Sequence, residues 1–340
     1  VIEENKDILL QVKDLKHYFP IRKGFRQKTV AHVKAVDGVN FSLNSGETIG
    51  LVGESGSGKT TVGRCITRLY SPTEGSIKFR TDDGVQDLVE LSKKEMKPIR
   101  RDIQMLFQDP NSSLDARMRV GDIVAEPLEI HGIGSKGDRR ARVEELLEQV
   151  GLSADAVSRF PHQFSGGQRQ RIGVARALCL EPKLVICDEP VSALDVSVQA
   201  QVLNLLIDLQ DDLGLTYIFI AHDLSVVEYI SDGIMVMYLG KIVESATTDK
   251  IFNRPVHPYT EALLNAIPRR SASGHRERTI LEGEVPSPVN PPSGCVFHPR
   301  CKYSEEVCET EIPQLRPYGK DPQTAVACHL ADELSLQPFT

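Results

Sequence analysis

The chain has 340 residues, with 40 Lys and Arg against 47 Asp and Glu, a formal net charge of -7 and 40% hydrophobic residues. That length is ample for a large buried core and two or three structural units, and the acidic balance argues against a broad nucleic-acid surface. No apolar run approaches the roughly eighteen residues that cross a bilayer, and the first residues, with Glu3, Glu4 and Asp7, lack the basic and apolar regions of a signal peptide, which predicts a cytosolic protein that reaches a membrane only through a partner.

Ile8-Leu-Leu-Gln-Val-Lys-Asp-Leu15 reads as a strand with partial alternation. His17, Tyr18 and Phe19 then precede a basic loop over residues 20–32 that contains Arg22, Lys23, Arg26 and Lys28. The apolar run Thr48-Ile-Gly-Leu-Val52 feeds Gly53-Glu-Ser-Gly-Ser-Gly-Lys-Thr60, which has the spacing of a phosphate-binding P-loop (Walker A), and a helix-compatible segment begins at Thr61. Glycines at 53, 56 and 58 let the chain turn tightly with amide N–H groups aimed at phosphate oxygens, and the following helix adds its positive end. In such a loop Lys59 reaches the β- and γ-phosphates and the Thr60 hydroxyl ligates Mg²⁺. Strands ahead of a phosphate loop and helix imply a parallel-sheet α/β core.

Residues 71–75 read as a turn, residues 76–91 as short strands around Asp82-Asp-Gly84, and residues 103–108 as a short buried strand that stops at Asp109-Pro110. Residues 119–130 and 138–150 have helical periodicity, and in the second Val143, Leu146, Leu147 and Val150 share one face. Ser165-Gly-Gly-Gln168 leads into a helix, combining a serine cap with flexible glycines at a place suited to an anion. Taken alone it is no more than a helix cap. Residues 183–190 form an apolar strand ending in Asp188 and Glu189, which a parallel sheet would carry to its C-terminal edge. Ser192-Ala-Leu-Asp195 precedes an amphipathic helix to about Asp212, and the core strand at 216–221 ends on His222 and Asp223.

Cys65, Cys179 and Cys187 stand in apolar surroundings, where free cysteine acts as a small core residue. Cys295, Cys301, Cys308 and Cys328 have five, six and nineteen residues between them in a turn-rich segment. Four thiolates there could ligate zinc or an iron–sulfur cluster, free thiols being the third reading, and spacing does not choose.

Taken in order, the P-loop at 53–60, Gln108, the Ser-Gly-Gly-Gln at 165–168, the acids at 188 and 189, the Ser-Ala-Leu-Asp at 192–195 and His222 resemble the ATPase subunits of ABC transporters, over about residues 8–250. Ile251-Phe-Asn-Arg-Pro-Val-His-Pro-Tyr-Thr-Glu-Ala-Leu-Leu264 and Leu281-Glu-Gly-Glu-Val-Pro-Ser-Pro288 look like the C-terminal extension of oligopeptide and dipeptide importer ATPases. Tyr18-Phe-Pro-Ile-Arg-Lys-Gly24, with Ala35-Val-Asp-Gly38, is most similar to the F-type of their two ATPases. Asp115-Ala116 departs from the Asn-Pro frequent in the family, in a segment that faces the permease in relatives.

The resemblance implies a P-loop ATPase core with a parallel sheet over residues 1–250, an N-terminal antiparallel β subdomain, an α-helical subdomain inserted at about 110–180, and a Cys-containing extension over 251–340. It implies that Gly53, Glu54, Ser55, Gly56, Ser57, Gly58, Lys59, Thr60 and Thr61 hold ATP, with Phe19, or as second choice Tyr18, stacked on adenine. Core packing is the competing reading of those two rings. Thr60, Gln108 and Asp188 would serve Mg²⁺, Glu189 would position and polarise the attacking water, and His222 would contact the γ-phosphate. Glu189, His222, Gln108 and Lys59 are thus the implied catalytic set, acting by positioning and electrostatics. Ser165, Gly166, Gly167 and Gln168 would serve nucleotide bound to the other subunit of a head-to-tail pair. For the four C-terminal cysteines the resemblance implies a [4Fe-4S] cluster, with His298 and His329 as neighbours that do not ligate.

The implied function is an ATPase that energises di- and oligopeptide import at the cytoplasmic face of the cell membrane. Its implied partners are a paralogous ATPase subunit, two permease subunits and an extracytoplasmic peptide-binding protein, with no nucleic acid. Related importers of nickel, glutathione or oligosaccharides are the alternatives. A non-transport ABC ATPase of DNA repair or translation is the more distant one, and a redox-sensing role for the cysteine extension is compatible with transport.

Overall fold

The computed structural model describes residues 2–25, 27–109, 113–267, 281, 283–319 and 323–339. Arg26 of the expected basic loop, Pro110 of the strand stop and Glu282 of the extension motif lie outside the described residues. The strands are β1 (Ile8–Lys23), β2 (Lys28–Asn44), β3 (Thr48–Val52), β4 (Glu74–Thr81), β5 (Gly84–Asp87), β6 (Ile103–Leu106), β7 (Leu184–Asp188), β8 (Thr216–Ala221), β9 (Gly233–Tyr238), β10 (Lys241–Thr247), β11 (Arg316–Pro317) and β12 (Ala325–Val326). The helices are α1 (Lys59–Ile66), α2 (Met96–Asp102), α3 (Val120–His131), α4 (Lys136–Gln149), α5 (Gly166–Leu178), α6 (Val196–Leu213), α7 (Leu224–Ile230), α8 (Thr248–Asn253), α9 (Pro258–Ala266) and α10 (Glu306–Thr310). Among the described residues no helix is long and apolar enough to cross a membrane.

Two compact units share the chain: Val1–Leu10, Leu43–Glu47 and Lys78–Ile220 form one, and Gln11–Ser42, Thr48–Ile77 and Ala221–Thr340 the other. In the first, β6, β7 and β8 are parallel neighbours. All five residues of β7 are buried, as its uninterrupted apolar run requires of a parallel strand covered on both faces. Helices α3, α4 and α5 pack on one another in the same unit. Serine and aspartate start α4 with a capping box, Ser135 accepting from the Asp138 N–H and Asp138 accepting from the Ser135 N–H. The periodicity expected over 138–150 is realised, since Val143, Leu146, Leu147 and Val150 are all buried. Burying each of these side chains contributes roughly 1.5–3 kcal/mol. The expected strands around Asp82 are β4 and β5, paired antiparallel from Lys78–Asp87 to Thr81–Gly84.

In the second unit β3 runs parallel to β9, while β9–β10, β10–β12 and β11–β12 are antiparallel. The strands β2, β1 and β4 follow one another in sheet order. Here the sequence reading is corrected: β1 continues to Lys23 and β2 begins at Lys28, so Tyr18 and Phe19 lie on a strand and most of the expected loop over 20–32 is ladder. Partners along both edges of β1 extend it, and the Thr73 N–H donates to the Lys16 carbonyl at 2.8 Å just ahead of β4. Such pairing overrides what the local composition favours.

Candidate functional site

The phosphate loop joins β3 to α1 in the second unit. Gly53 and Gly58 have φ of 149° and 106°. A Cβ at Gly53 would stand 2.1 Å from the Met237 carbonyl oxygen, and one at Gly58 2.0 Å from that of Ala35. Backbone approach therefore demands glycine at both places, as well as conformation. Ser55 and Gly56 are exposed, and a Cβ at Gly56 would meet nothing within 4 Å. The turn at Ser55 and Gly56 is thus open to solvent. Lys59 is 5% exposed, and its Nζ donates to the carbonyls of Gly53 at 2.7 Å and Glu54 at 2.9 Å, with Ser57 Oγ 3.4 Å away. Thr60 and Thr61 are half-buried on the first turn of α1.

In the first unit β7 ends at Asp188, which is 2% exposed. Glu189 follows with φ of 47°, a left-handed conformation that is uncommon outside glycine and concentrates at functional sites. Several contacts hold it there. Its N–H donates to the Ile220 carbonyl at 2.9 Å, its own carbonyl accepts from Ser192 Oγ at 3.1 Å, and Glu189 Oε2 accepts from Gln108 Nε2 at 2.8 Å. Residues 81 positions apart are thus brought together. The hydroxyl of Thr60 and the carboxylate of Asp188 are hard oxygen donors of the kind Mg²⁺ takes.

Ser165 is the N-cap of α5 and forms a capping box with Gln168. Ser165 Oγ accepts from the Gln168 N–H at 3.3 Å, and Gln168 Oε1 accepts from the Ser165 N–H at 3.0 Å. Both residues are exposed, whereas Gly167 is buried with its would-be Cβ 2.4 Å from Val198 Cγ1 of α6. Gly166 is half-buried. A helix N-terminus with outward polar groups is thereby held against α6.

Of the two candidate adenine platforms, Tyr18 is committed elsewhere: its hydroxyl donates to Asp37 Oδ1, and Asp37 also pairs with Lys241 at 3.0 Å. Burial, reinforced by Asp37, pushes the Tyr18 phenol above its ordinary range. Phe19 is half-buried and edge-on to His17 at 4.5 Å and to Tyr70 at 5.4 Å between centroids. Tyr70, which the sequence reading did not single out, belongs to this aromatic group. Its position four residues past α1, beyond any motif, left no local signal. His222, directly after β8, is exposed.

The extension corrects the cluster expectation. Cys295 and Cys301 flank the short 3₁₀ turn His298–Arg300, Cys308 lies on α10 and Cys328 follows β12. Among the described residues no group of three or more His, Cys, Asp and Glu is arranged to hold a metal ion, and all four cysteines are free. Burial pushes the Cys301 thiol up to about 11 and the Cys328 thiol up to about 12. The residues do not fit a [4Fe-4S] cluster or zinc.

The His-Pro-Tyr of the extension has a structural account. His257 Nδ1 accepts from the Tyr259 N–H at 3.0 Å, capping α9, and Pro258 occupies its first turn. Glu244 Oε1 and Oε2 accept from the Val256 and His257 N–H groups, each at 2.9 Å. Burial raises the Glu244 carboxyl to about 7, and burial lowers His257 to about 3. The two act with opposite signs. Glu244 stabilises the fold below about pH 4.5, and that contribution is lost as pH rises through about 7, whereas the neutral His257 contributes above about pH 6.5 and fails as pH falls toward 3. Glu244→Gln should therefore flatten the decline in stability between about pH 5 and pH 8, as read from urea midpoints. An unchanged slope would contradict the assignment.

A chain that carries, in order, a P-loop, a serine-capped Ser-Gly-Gly-Gln helix and a strand-terminal Asp-Glu pair is an ATP-binding cassette of the ABC class. The family model described as ABC transporter matches residues 36–192, and that of the oligopeptide/dipeptide transporter C-terminal region matches residues 243–308. An oligopeptide transport ATP-binding protein, AppF of Bacillus subtilis, is 53% identical over 329 residues, covering 96% of this chain and 98% of that protein. A dipeptide transport ATP-binding protein, DppF of Escherichia coli, is 51% identical over 326 residues, with 96% and 95% covered. Among solved structures, a dimeric ATP-binding cassette in a post-hydrolysis state with ADP and Pi is similar with a TM-score of 0.61 at 29% identity, over 71% of this chain and 99% of that one. This chain belongs to the ATP-binding subunits of the oligopeptide/dipeptide ABC transporter family.

Proposed function

We propose that this chain binds and hydrolyses ATP as one ATPase of a head-to-tail pair that drives di- and oligopeptide import. The observation that carries the hydrolytic reading is the 2.8 Å hydrogen bond from Gln108 to the Glu189 carboxylate. A carboxylate fixed in this way orients and polarises one water for attack on the γ-phosphate. Residues 53–61 cradle the phosphates, with Lys59 as the point charge, and His222 contacts the γ-phosphate. The rate then comes from positioning and charge stabilisation. Mg²⁺, held by the Thr60 hydroxyl and through its water shell by Asp188, would neutralise charge on the β- and γ-oxygens when bound. Phe19 is assigned as the adenine platform, with Tyr18 as the second choice.

Ser165, Gly166, Gly167 and Gln168 serve the nucleotide held by a paralogous partner ATPase, so closure of the pair depends on ATP. In this reading residues 1–250 are the ATPase domain, with a helical insertion at about 110–180, and residues 251–340 the extension. Two permease subunits bring the chain to the cytoplasmic face of the membrane, and an extracytoplasmic binding protein delivers the cargo.

The test is the complex co-purified with its partner ATPase, permeases and binding protein, reconstituted in vesicles. ATP hydrolysis should rise above its basal rate when the binding protein carries a peptide. Stimulation by nickel, glutathione or an oligosaccharide, with none by peptides, would replace the cargo assignment.

A further inference from the structure

Glu54, the second residue of the phosphate loop, is gripped by residues more than two hundred positions downstream. Arg300 Nη1 donates to Glu54 Oε2 at 2.6 Å and Arg300 Nη2 to Oε1 at 3.0 Å. The Arg300 side chain is 4% exposed and that of Glu54 28%. The Glu54 N–H donates to the Tyr259 hydroxyl at 2.9 Å, and Tyr259 is fully buried. Tyr238, at the end of β9, completes the grip: its hydroxyl is 3.3 Å from Arg300 Nη1, and its ring packs on Tyr259 and Phe297 with centroids 4.7 Å and 5.3 Å away.

The local chemistry explains how the extension presents these groups. The His257 cap and Pro258 fix the start of α9, which sets the direction of Tyr259. Phe297 is buried against both tyrosines and immediately precedes the turn that ends on Arg300. An exposed ion pair adds little. This one is two-pronged with its guanidinium out of water, so removing the Glu54 charge leaves a poorly solvated cation, and removing Arg300 releases the Glu54 carboxylate from its fork.

The grip has a route to the nucleotide. The Glu54 carbonyl, together with that of Gly53, receives the Lys59 ammonium. Displacing residue 54 therefore displaces a contact that seats Lys59. We propose that Arg300 and Tyr259 are positioning residues for ATP, through which the oligopeptide-type extension sets the shape of the phosphate loop and hence nucleotide affinity. This rests on the reading of residues 53–60 as the ATP phosphate site.

The experiment uses the full chain assembled with its partner ATPase and permeases. It measures the ATP KM, kcat and MgATP binding for Arg300→Lys, Arg300→Gln, Tyr259→Phe, Lys59→Ala and the double variant Arg300→Gln/Glu54→Gln. Arg300→Gln should raise KM about tenfold, with a smaller effect on kcat. Arg300→Lys, which keeps the charge but not the fork, should fall between it and wild type. The double variant should move back toward wild type, since it removes both charges together. If Arg300→Gln fails to fold, Arg300→Lys and Tyr259→Phe carry the same KM test. An unchanged KM in the folded Arg300 and Tyr259 variants, with kcat falling only in proportion to folded protein, overturns the proposal. Should Lys59→Ala lose MgATP binding while that happens, the phosphate-site reading survives. If Lys59→Ala keeps its binding, that reading fails first.

Discussion

Glu189→Gln should bind MgATP nearly as wild type does and release phosphate at least about 100-fold more slowly. The substitution is nearly isosteric, and the amide oxygen of glutamine still accepts from Gln108, so the contact at 2.8 Å survives in kind. What disappears is the negative charge to which the proposal gives the task of drawing a proton from water. The groups assigned to phosphate binding, Lys59 and the loop amides, are not altered. Phosphate release at steady state and a MgATP titration on the same preparation separate the two effects. Wild-type turnover in this variant would remove Glu189 from its assigned role.

Lys59→Ala should weaken MgATP binding by about 100-fold, and turnover should fall with it. The ammonium is nearly buried, and loop carbonyls hold it at 2.7 Å and 2.9 Å. Alanine removes the charge assigned to phosphate in the proposed site and also leaves the Gly53 and Glu54 carbonyls without that donor. Both changes weaken binding. The two variants thus part company, one losing chemistry with binding retained and the other losing binding itself. Thermal unfolding of the nucleotide-free variant checks that Lys59→Ala is folded, and undiminished MgATP affinity would contradict the site.

Much of the site was legible because its parts are local. Ser165 and Gln168 are three residues apart, and their reciprocal bonds close within one helical turn. The face made by Val143, Leu146, Leu147 and Val150 follows from helical period alone, and all four are buried. Gln108 and Glu189 entered the implied catalytic set through family resemblance, and their contact across 81 residues is a matter of tertiary structure.

Elsewhere the sequence was a poor guide. A basic, proline-containing stretch after Phe19 read as loop, yet β1 runs as far as Lys23, with β2 beside it in the sheet. Four cysteines in a turn-rich tail read as a cluster site, but thiol spacing carries no direction, and the described residues offer no metal-holding group.

By itself, the sequence determined the P-loop, the serine-capped helix and the strand-terminal acids, because glycine spacing, helix caps and strand ends act over a few residues, while the oligopeptide/dipeptide branch was implied by the resemblance of residues 251–264 and 281–288 to that family. Only the tertiary structure decided that Gly53 and Gly58 are demanded by the Met237 and Ala35 carbonyls, and that Arg300 and Tyr259 reach back to Glu54. Those contacts depend on which distant backbones lie side by side, and no pattern of neighbouring residues encodes that.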